Sequence, residues 1–517
     1  MSFVAAAGLG LVAGRRWPLL AELGFAAALG AGQTLAFVHT AFWPAQLLAI
    51  ALLAWRVGRA SPGRAAVLGW AFGTAWLGAG TWWLFVSMHR YGGLPAWLAA
   101  LAVLALAGFL SLYLGAAMAA VARWRRRSPL AAASLFAAAW LLAELARGVI
   151  FTGFPWVASG YAQIDSPFAG FAPWIGVYGL GAVVAGVAAA FGFSRLGLPR
   201  AWLRPGVLLL AAMALGAVAG RIDFTRPTGS IAVTLLQGNV AQEEKFAARY
   251  VSQALASTAA QLESAHGDLV VGPETVIPLL PSQLDRAWWQ SLLERFRQPG
   301  RAALIGLPLG DEEAGYTNSA AGISAATAAQ PGGFYRYDKH HLVPFGEFIP
   351  TGFRWFTELM HIPLGDFNRG PLTAPSFVVR GERVAPNICY EDLFGEELAA
   401  RFVPEDQAPT ILANLSNIGW FGETIAVAQH LEISRMRTLE LQRPMIRATN
   451  TGATAVIDHR GVVTKSLPPF KRGTLDATVE GRSGLTPFAA WAGRVGLWPL
   501  FVLGALMLLV AALRHRR

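Results

Sequence analysis

Three side chains in the C-terminal half have the types needed to open an ester or amide: Cys389, Glu274 and Lys339. Cys389 is the only cysteine in 517 residues, so no intramolecular disulfide holds it. It follows a strand-like run, residues 383–388, and precedes an acidic, helix-compatible segment, 392–398. Its thiol therefore stands at a strand end, where side chains face a mouth. A free thiol ionises near about 8.5 and needs a base or a cation beside it to act as a nucleophile. Glu274 ends the apolar run 268–271 after Gly272-Pro273 and is of the type that takes a thiol proton. Lys339 closes the alternating segment 334–339 and is of the type that holds charge developing on a carbonyl oxygen. Each also has a plainer reading: Cys389 as a small buried hydrophobe, Glu274 as a helix cap, Lys339 as a solvated strand end.

The elements that must position these residues read as strands alternating with helices, an α/β or α+β domain. Residues 230–236 form a strand that runs into Gln237-Gly238-Asn239, 302–307 a second, and 410–415 a third ending at Ser416-Asn417. Residues 426–441 have helical spacing, with Arg and Glu expected on the outer face. Residues 444–457, followed by the turn 458–461, read as a hairpin.

This domain interrupts an otherwise apolar chain. The sequence is 54% hydrophobic and 14% charged, with mean hydropathy +0.44, against roughly a quarter charged in soluble domains. Before residue 221 the only acids are Glu22, Glu144 and Asp165. A spanning helix needs about 20 mostly apolar residues. Runs of that kind lie at 34–55, 65–87, 93–121, 129–146, 168–193, 205–220 and 486–513, and a shorter one, holding Glu22, at 17–31. The net charge of +11 sits mostly in Arg clusters at the ends of these runs, which is the mark of membrane topology and not of a nucleic-acid partner. If every cluster faces the cytoplasm, an even number of spans separates each pair, which keeps the short run and gives eight spans with both termini inside. The expected domains are 1–224 in the membrane, 225–484 outside the cytoplasm, and 485–517 as a last span with a basic tail. Residues 3–14 lack a preceding basic residue and read as an uncleaved start. Gly176, Gly179 and Gly181 resemble a nucleotide loop but lie in an apolar span, where close helix packing explains them. The segment 151–156 reads as an interfacial aromatic belt or a lipid grip.

Three longer segments carry a resemblance. They are Gly272-Pro273-Glu274 with 275–278, the run from Asp338 to Pro350 containing Lys339 and Glu347, and Ile388-Cys389-Tyr390-Glu391. They resemble the catalytic motifs of the nitrilase superfamily, and Gln237-Gly238-Asn239 and Leu415-Ser416-Asn417 fit it too. With spans on both sides, and with the segments 151–156, 160–165, 435–444 and 484–487, the chain resembles the apolipoprotein N-acyltransferase family. The resemblance implies a multi-span α-helical membrane domain plus an α-β-β-α sandwich facing the periplasm of the bacterial inner membrane. It implies transfer of an acyl chain from a phospholipid, typically phosphatidylethanolamine, to the α-amino group of a diacylglyceryl lipoprotein cysteine. Carried over, Glu274 is the general base, Lys339 the oxyanion stabiliser and Cys389 the nucleophile. Glu347 supports the lysine, Tyr390 and Glu391 flank the nucleophile, and Asn239, Phe246, Asn417 and Trp420 line the site. It also implies a monomer without cofactor. No metal pattern is visible: His340 and His341 are adjacent, and no His-Glu-x-x-His occurs.

Gly272 and Phe246 stand where the family commonly has Trp, and Ile418 stands where it has Asp, which bears on acyl preference and rate. Other classes fit less. A transporter would carry paired intramembrane charges along an ion path, whereas only Glu22 and Glu144 fall within spans. A membrane-tethered amidase would use the same three residues with water as acceptor. A catalytically inactive lipid-binding relative would not keep all three. From sequence alone, Lys339→Ala costs orders of magnitude in rate with folding intact.

Overall fold

The apolar runs fold into helices in a computed structural model that describes residues 18–516 except 127, 195–198, 246–247, 351 and 353–365. The start at 3–14 and Phe246 therefore lie outside the described residues. Among those described, seven helices are long and apolar enough to cross a membrane: Leu19–Val38, Thr40–Val57, Ala96–Trp124, Pro129–Thr152, Pro167–Gly192, Arg200–Ala219 and Trp498–His515. Two of the expected runs take other bounds here. The short run 17–31 continues to Val38 as a full-length helix, and its Glu22 is buried against Arg56 and Arg64. The run 65–87, expected as one of the eight spans, forms the helix Pro62–Gly80, which is less apolar than the seven. Its Gly and Trp content lowers its hydropathy because it packs inside the bundle. A Cβ on Gly69 would lie 2.6 Å from Met118 Cγ, and one on Gly73 2.8 Å from Ser111 Oγ. Small residues at such contacts let helix backbones approach closely. Gly181 does the same against Ser159, and Gly176, at φ +65°, gives way to Phe488. By contrast, the outer faces of Arg200–Ala219 and Trp498–His515 leave Val207, Leu210, Leu215, Trp498, Leu503 and Leu506 exposed, the composition a lipid contact requires.

Between these helices the described residues form twelve strands: β1 (Thr225–Gln237), β2 (Leu269–Val271), β3 (Ala302–Asp311), β4 (Gly315–Ser324), β5 (Tyr335–Asp338), β6 (Phe377–Val379), β7 (Glu382–Ile388), β8 (Ile411–Ser416), β9 (Met445–Thr449), β10 (Ala455–Ile457), β11 (Val463–Ser466) and β12 (Gly473–Gly484). They make two six-stranded sheets, ordered β12-β1-β2-β3-β4-β5 and β11-β10-β9-β8-β7-β6. The centres, β1-β2-β3 and β7-β8-β9, are parallel. Strands buried on both faces read as continuous apolar runs, which is why these centres were legible. The sheets pack face to face through Ile231, Val233, Leu269 and Leu304 on one side and Val384, Ile388, Ile411 and Ile446 on the other. Helices Ala248–Ser264 and Arg286–Phe296 cover the first sheet, and Gly395–Ala400 and Pro487–Val495 the second. The result is the expected α-β-β-α sandwich. β4 escaped the sequence reading because Tyr-Thr-Asn-Ser-Ala-Ala-Gly-Ile lacks the β-branched alternation that marks a strand.

The helix Ala426–Leu441 corrects a further expectation, that its Arg and Glu face outward. It lies between the second sheet and the membrane helices, and His430, Ser434, Arg437 and Glu440 are fully buried. Several of its polar groups find partners across that junction. Gln429 Oε1 accepts from Trp83 and Trp156 Nε1 at 3.0 and 2.9 Å, and its Nε2 donates to Gly80 O at 2.9 Å. Glu440 Oε1 accepts from Val177 N at 2.6 Å beside the Gly176 kink, and Arg437 pairs with it at 3.1 Å. Buried charges persist only when paired in this way.

Candidate functional site

The parallel strand ends converge at one place. Beyond β2 the backbone turns so that Glu274 Cα lies over Gly306 of β3, where a Cβ would sit 2.5 Å from Pro273 O and 2.8 Å from Glu274 Cα. Glycine is required there by close approach. Glu274 Oε1 accepts from Asn318 Nδ2 at 2.8 Å and lies 3.5 Å from Lys339 Nζ, while Oε2 accepts from Asn417 N at 2.9 Å. Lys339, 1% exposed at the end of β5, donates from Nζ to Glu347 at 2.9 Å. Glu347 also accepts from Asn318 Nδ2 at 2.6 Å and from Val343 N at 2.8 Å. Burial opposes the ammonium charge, but the Glu347 and Glu274 carboxylates outweigh it and hold Lys339 protonated, well above the ordinary lysine value.

Cys389 follows β7 and opens the turn Cys389–Leu393 with φ +53°. A left-handed residue other than glycine costs about 1–2 kcal/mol, so the surroundings must hold it. Glu391 supplies one clamp. Its carboxylate accepts from Ile388 N at 2.6 Å, His340 N at 2.7 Å and Tyr337 Oη at 2.8 Å, tying the cysteine turn to the lysine strand. Burial pushes the Cys389 thiol up to about 12, helped by the Glu274 charge and opposed by Lys339. A thiol so placed is almost wholly protonated at neutral pH, and ionising it there unaided costs on the order of 7 kcal/mol. Ionisation there needs a base beside the thiol, and Glu274 is the carboxylate whose charge acts on it. The raised value gives a testable profile. Alkylation of Cys389 by iodoacetamide should rise about tenfold per pH unit through pH 10, since the thiolate fraction keeps growing until the pH nears the thiol pKa. A plateau close to pH 8.5 would show an unperturbed thiol instead.

The structure thus brings together Glu274, Lys339, Glu347, Cys389 and Glu391, with Asn417 joining through its backbone N–H. Other expected residues point elsewhere. Tyr390 donates from Oη to Gly153 O at 3.0 Å, away from the cluster and into the membrane-side loop. Asn239, at φ +46°, donates to Phe470 O at 3.0 Å and braces the loop after β1. Trp420 meets the edge of Tyr91 at 5.6 Å, on the rim formed by residues 418–421. Ile418 is 1% exposed among the apolar residues Tyr390 and Leu393, so its side chain faces the membrane-side core. A Cβ on Gly272 would already touch Val276 and Ile305 at 3.0 and 3.2 Å; those two side chains occupy the space. Sequence reasoning missed Asn318, which bridges both carboxylates from the middle of unmarked β4. It also missed Lys245, whose Nζ donates to Glu274 O at 2.9 Å and which burial lowers to about 8. Within Gln242-Glu243-Glu244-Lys245 nothing distinguishes it from a solvated lysine.

Comparison with known proteins covers both the membrane part and the sandwich. Residues 29–190 match the model of the apolipoprotein N-acyltransferase N-terminal domain, and residues 232–487 match carbon-nitrogen hydrolase. The apolipoprotein N-acyltransferase of Verminephrobacter eiseniae is 51% identical over 512 residues, covering 93% of each chain. The chain belongs to the apolipoprotein N-acyltransferase family. The family member from Ralstonia nicotianae is 46% identical over 96% of this chain and 95% of its own, and that from Bordetella bronchiseptica 43% identical over 95% and 96%. The likeness spans membrane and sandwich parts together, so the family assignment does not rest on the carbon-nitrogen hydrolase domain alone.

Proposed function

We propose that this chain transfers an acyl group from a phospholipid, phosphatidylethanolamine first among them, to the α-amino group of the S-diacylglyceryl N-terminal cysteine of lipoproteins, the last step of their maturation. Glu274 takes the Cys389 proton as sulfur attacks the ester carbonyl. Lys339, held by Glu347 and Glu274, faces the oxyanion. The tetrahedral adduct collapses, the lysophospholipid alkoxide leaves with the proton from Glu274, and a thioester remains. The lipoprotein amine then attacks the thioester carbonyl and gives its proton to Glu274. The sulfur departs and is reprotonated, leaving an amide and a free thiol. One site serving both substrates in turn is a ping-pong scheme needing no cofactor. The sandwich lies on the periplasmic side with both termini cytoplasmic, provided Pro62–Gly80 also crosses the bilayer, and the protein acts as a monomer.

The observation that carries this reading is where the cysteine turn sits. Tyr390 Oη donates to Gly153 O, and Tyr161 Oη donates to Leu393 O at 3.3 Å, so the turn is fastened to the loop between the membrane helices Pro129–Thr152 and Pro167–Gly192. A site for soluble amides has no use for that attachment. The test is intact-protein mass spectrometry after incubation with phosphatidylethanolamine and no acceptor. A gain of one acyl chain, discharged by a diacylated lipopeptide, is expected. Discharge by water but not by the lipopeptide would favour the tethered-amidase reading.

A further inference from the structure

Behind the cysteine turn lies a second polar cluster that the chemistry above does not use. His430, Asp392, Ser434 and Arg447 come from the helix Ala426–Leu441, the cysteine turn and β9, and all four are fully buried. Arg447 Nη2 donates to His430 Nδ1 at 3.0 Å. An arginine only donates, so Nδ1 carries the lone pair and Nε2 the hydrogen. That Nε2 is 3.2 Å from Cys389 O in hydrogen-bonding geometry. Asp392 Oδ1 lies 2.9 Å from the same nitrogen without an aligned hydrogen bond. Asp392 Oδ2 instead accepts from Ser434 Oγ and lies 3.5 Å from Arg447 Nη1. With Nδ1 taken as the acceptor for Arg447, the Nε2–H of the imidazole is aimed at the carbonyl of the strained residue. The other side-chain donor to that carbonyl, Asn414 Nδ2, is at 3.4 Å. On its far side the imidazole stacks on Trp156, with ring centres 5.6 Å apart and planes 12° apart.

We propose that His430 is a positioning residue for Cys389: its Nε2–H holds the cysteine carbonyl, and with it the left-handed backbone that aims the thiol, while Trp156 ties this setting to the membrane helices. The inference rests on reading Cys389 as the nucleophile. A side chain that misaims a nucleophile by about 1 Å costs on the order of 100-fold in rate, so the hydrogen bond, more than the packing of the ring, sets the first half-reaction.

Two replacements separate the ring's two nitrogens. In His430→Gln the side-chain amide reaches the Nε2 position and keeps a donor to Cys389 O. In His430→Asn it reaches only the Nδ1 position, keeping an acceptor for Arg447 and losing that donor. Both full-length proteins are measured for the single-turnover rate of acyl-enzyme formation, the apparent KM for phosphatidylethanolamine, and iodoacetamide alkylation of Cys389, which as the only cysteine reports without ambiguity. Expected are an acyl-enzyme rate about 10- to 100-fold lower in His430→Asn, KM within about twofold, slower alkylation, and recovery in His430→Gln to within about fivefold of the parent. A parent-like His430→Asn, or an equal loss in both variants, overturns the proposal. Should His430→Asn not fold, His430→Met, which fills the space without a donor, carries the same expectation. If the parent protein forms no acyl-enzyme, the acyl-transfer reading has failed, and the alkylation comparison still judges the role of His430.

Discussion

Cys389→Ala abolishes acyl transfer, with a loss of about 10⁵-fold or more, the scale seen when an enzyme loses the nucleophile of a covalent mechanism. No second thiol exists to replace it, and the Glu274–Lys339–Glu347 cluster has nothing to activate without it. Alanine meets the same strain at φ +53° and leaves only a small void, so stability should change by about 1 kcal/mol or less. Cys389→Ser should be nearly as inactive. A hydroxyl in the environment that already drives the thiol to about 12 is harder still to ionise. The measurement is acylation of a diacylated lipopeptide followed by mass spectrometry, with thermal unfolding as the control for folding. Turnover within tenfold of the parent in the alanine variant would remove Cys389 from the reaction.

Lys339→Ala loses about 10²- to 10³-fold in the first half-reaction, the usual cost of removing one oxyanion donor. The structure changes the second half of this expectation, since the sequence alone gave no reason for the fold to suffer. Lys339 is the ammonium between Glu274 and Glu347, and deleting it leaves two buried carboxylates sharing Asn318 without the cation between them. Breaking a buried pair from one side costs about 3–5 kcal/mol. Protonation at low pH removes this uncompensated negative charge. The deficit of the variant is therefore smallest at acidic pH and grows as pH rises. Thermal unfolding of parent and variant at pH 5 and pH 8 checks this. A gap in Tm that widens toward pH 8 is expected, and a gap independent of pH would mean that the carboxylates are not coupled through Lys339. Lys339→Arg keeps the charge and should recover stability more than rate, because a planar guanidinium does not present its donors as an ammonium does.

The sequence by itself determined the class of chemistry and most of the scaffold. Apolar run length separates membrane helices from the sandwich because a bilayer and a strand set different length scales. The central parallel strands announce themselves as short apolar runs ending in Glu274, Cys389 and Asn417, because both of their faces are buried. What tertiary structure decided are the polar groups whose burial depends on distant partners. Glu22 looked like an obstacle to a span until Arg56 and Arg64, across a turn, closed on it. Arg437 and Glu440 have the spacing of a solvated face, yet they are buried because a membrane helix breaks at Gly176 and presents Val177 N to the carboxylate. Asn318, Lys245 and His430 carry no local mark at all: each draws its role from strands or helices far away in sequence. Local pattern records how much surface a residue buries. Which polar groups meet in the buried space is settled only when the two sheets and the membrane helices close on one another.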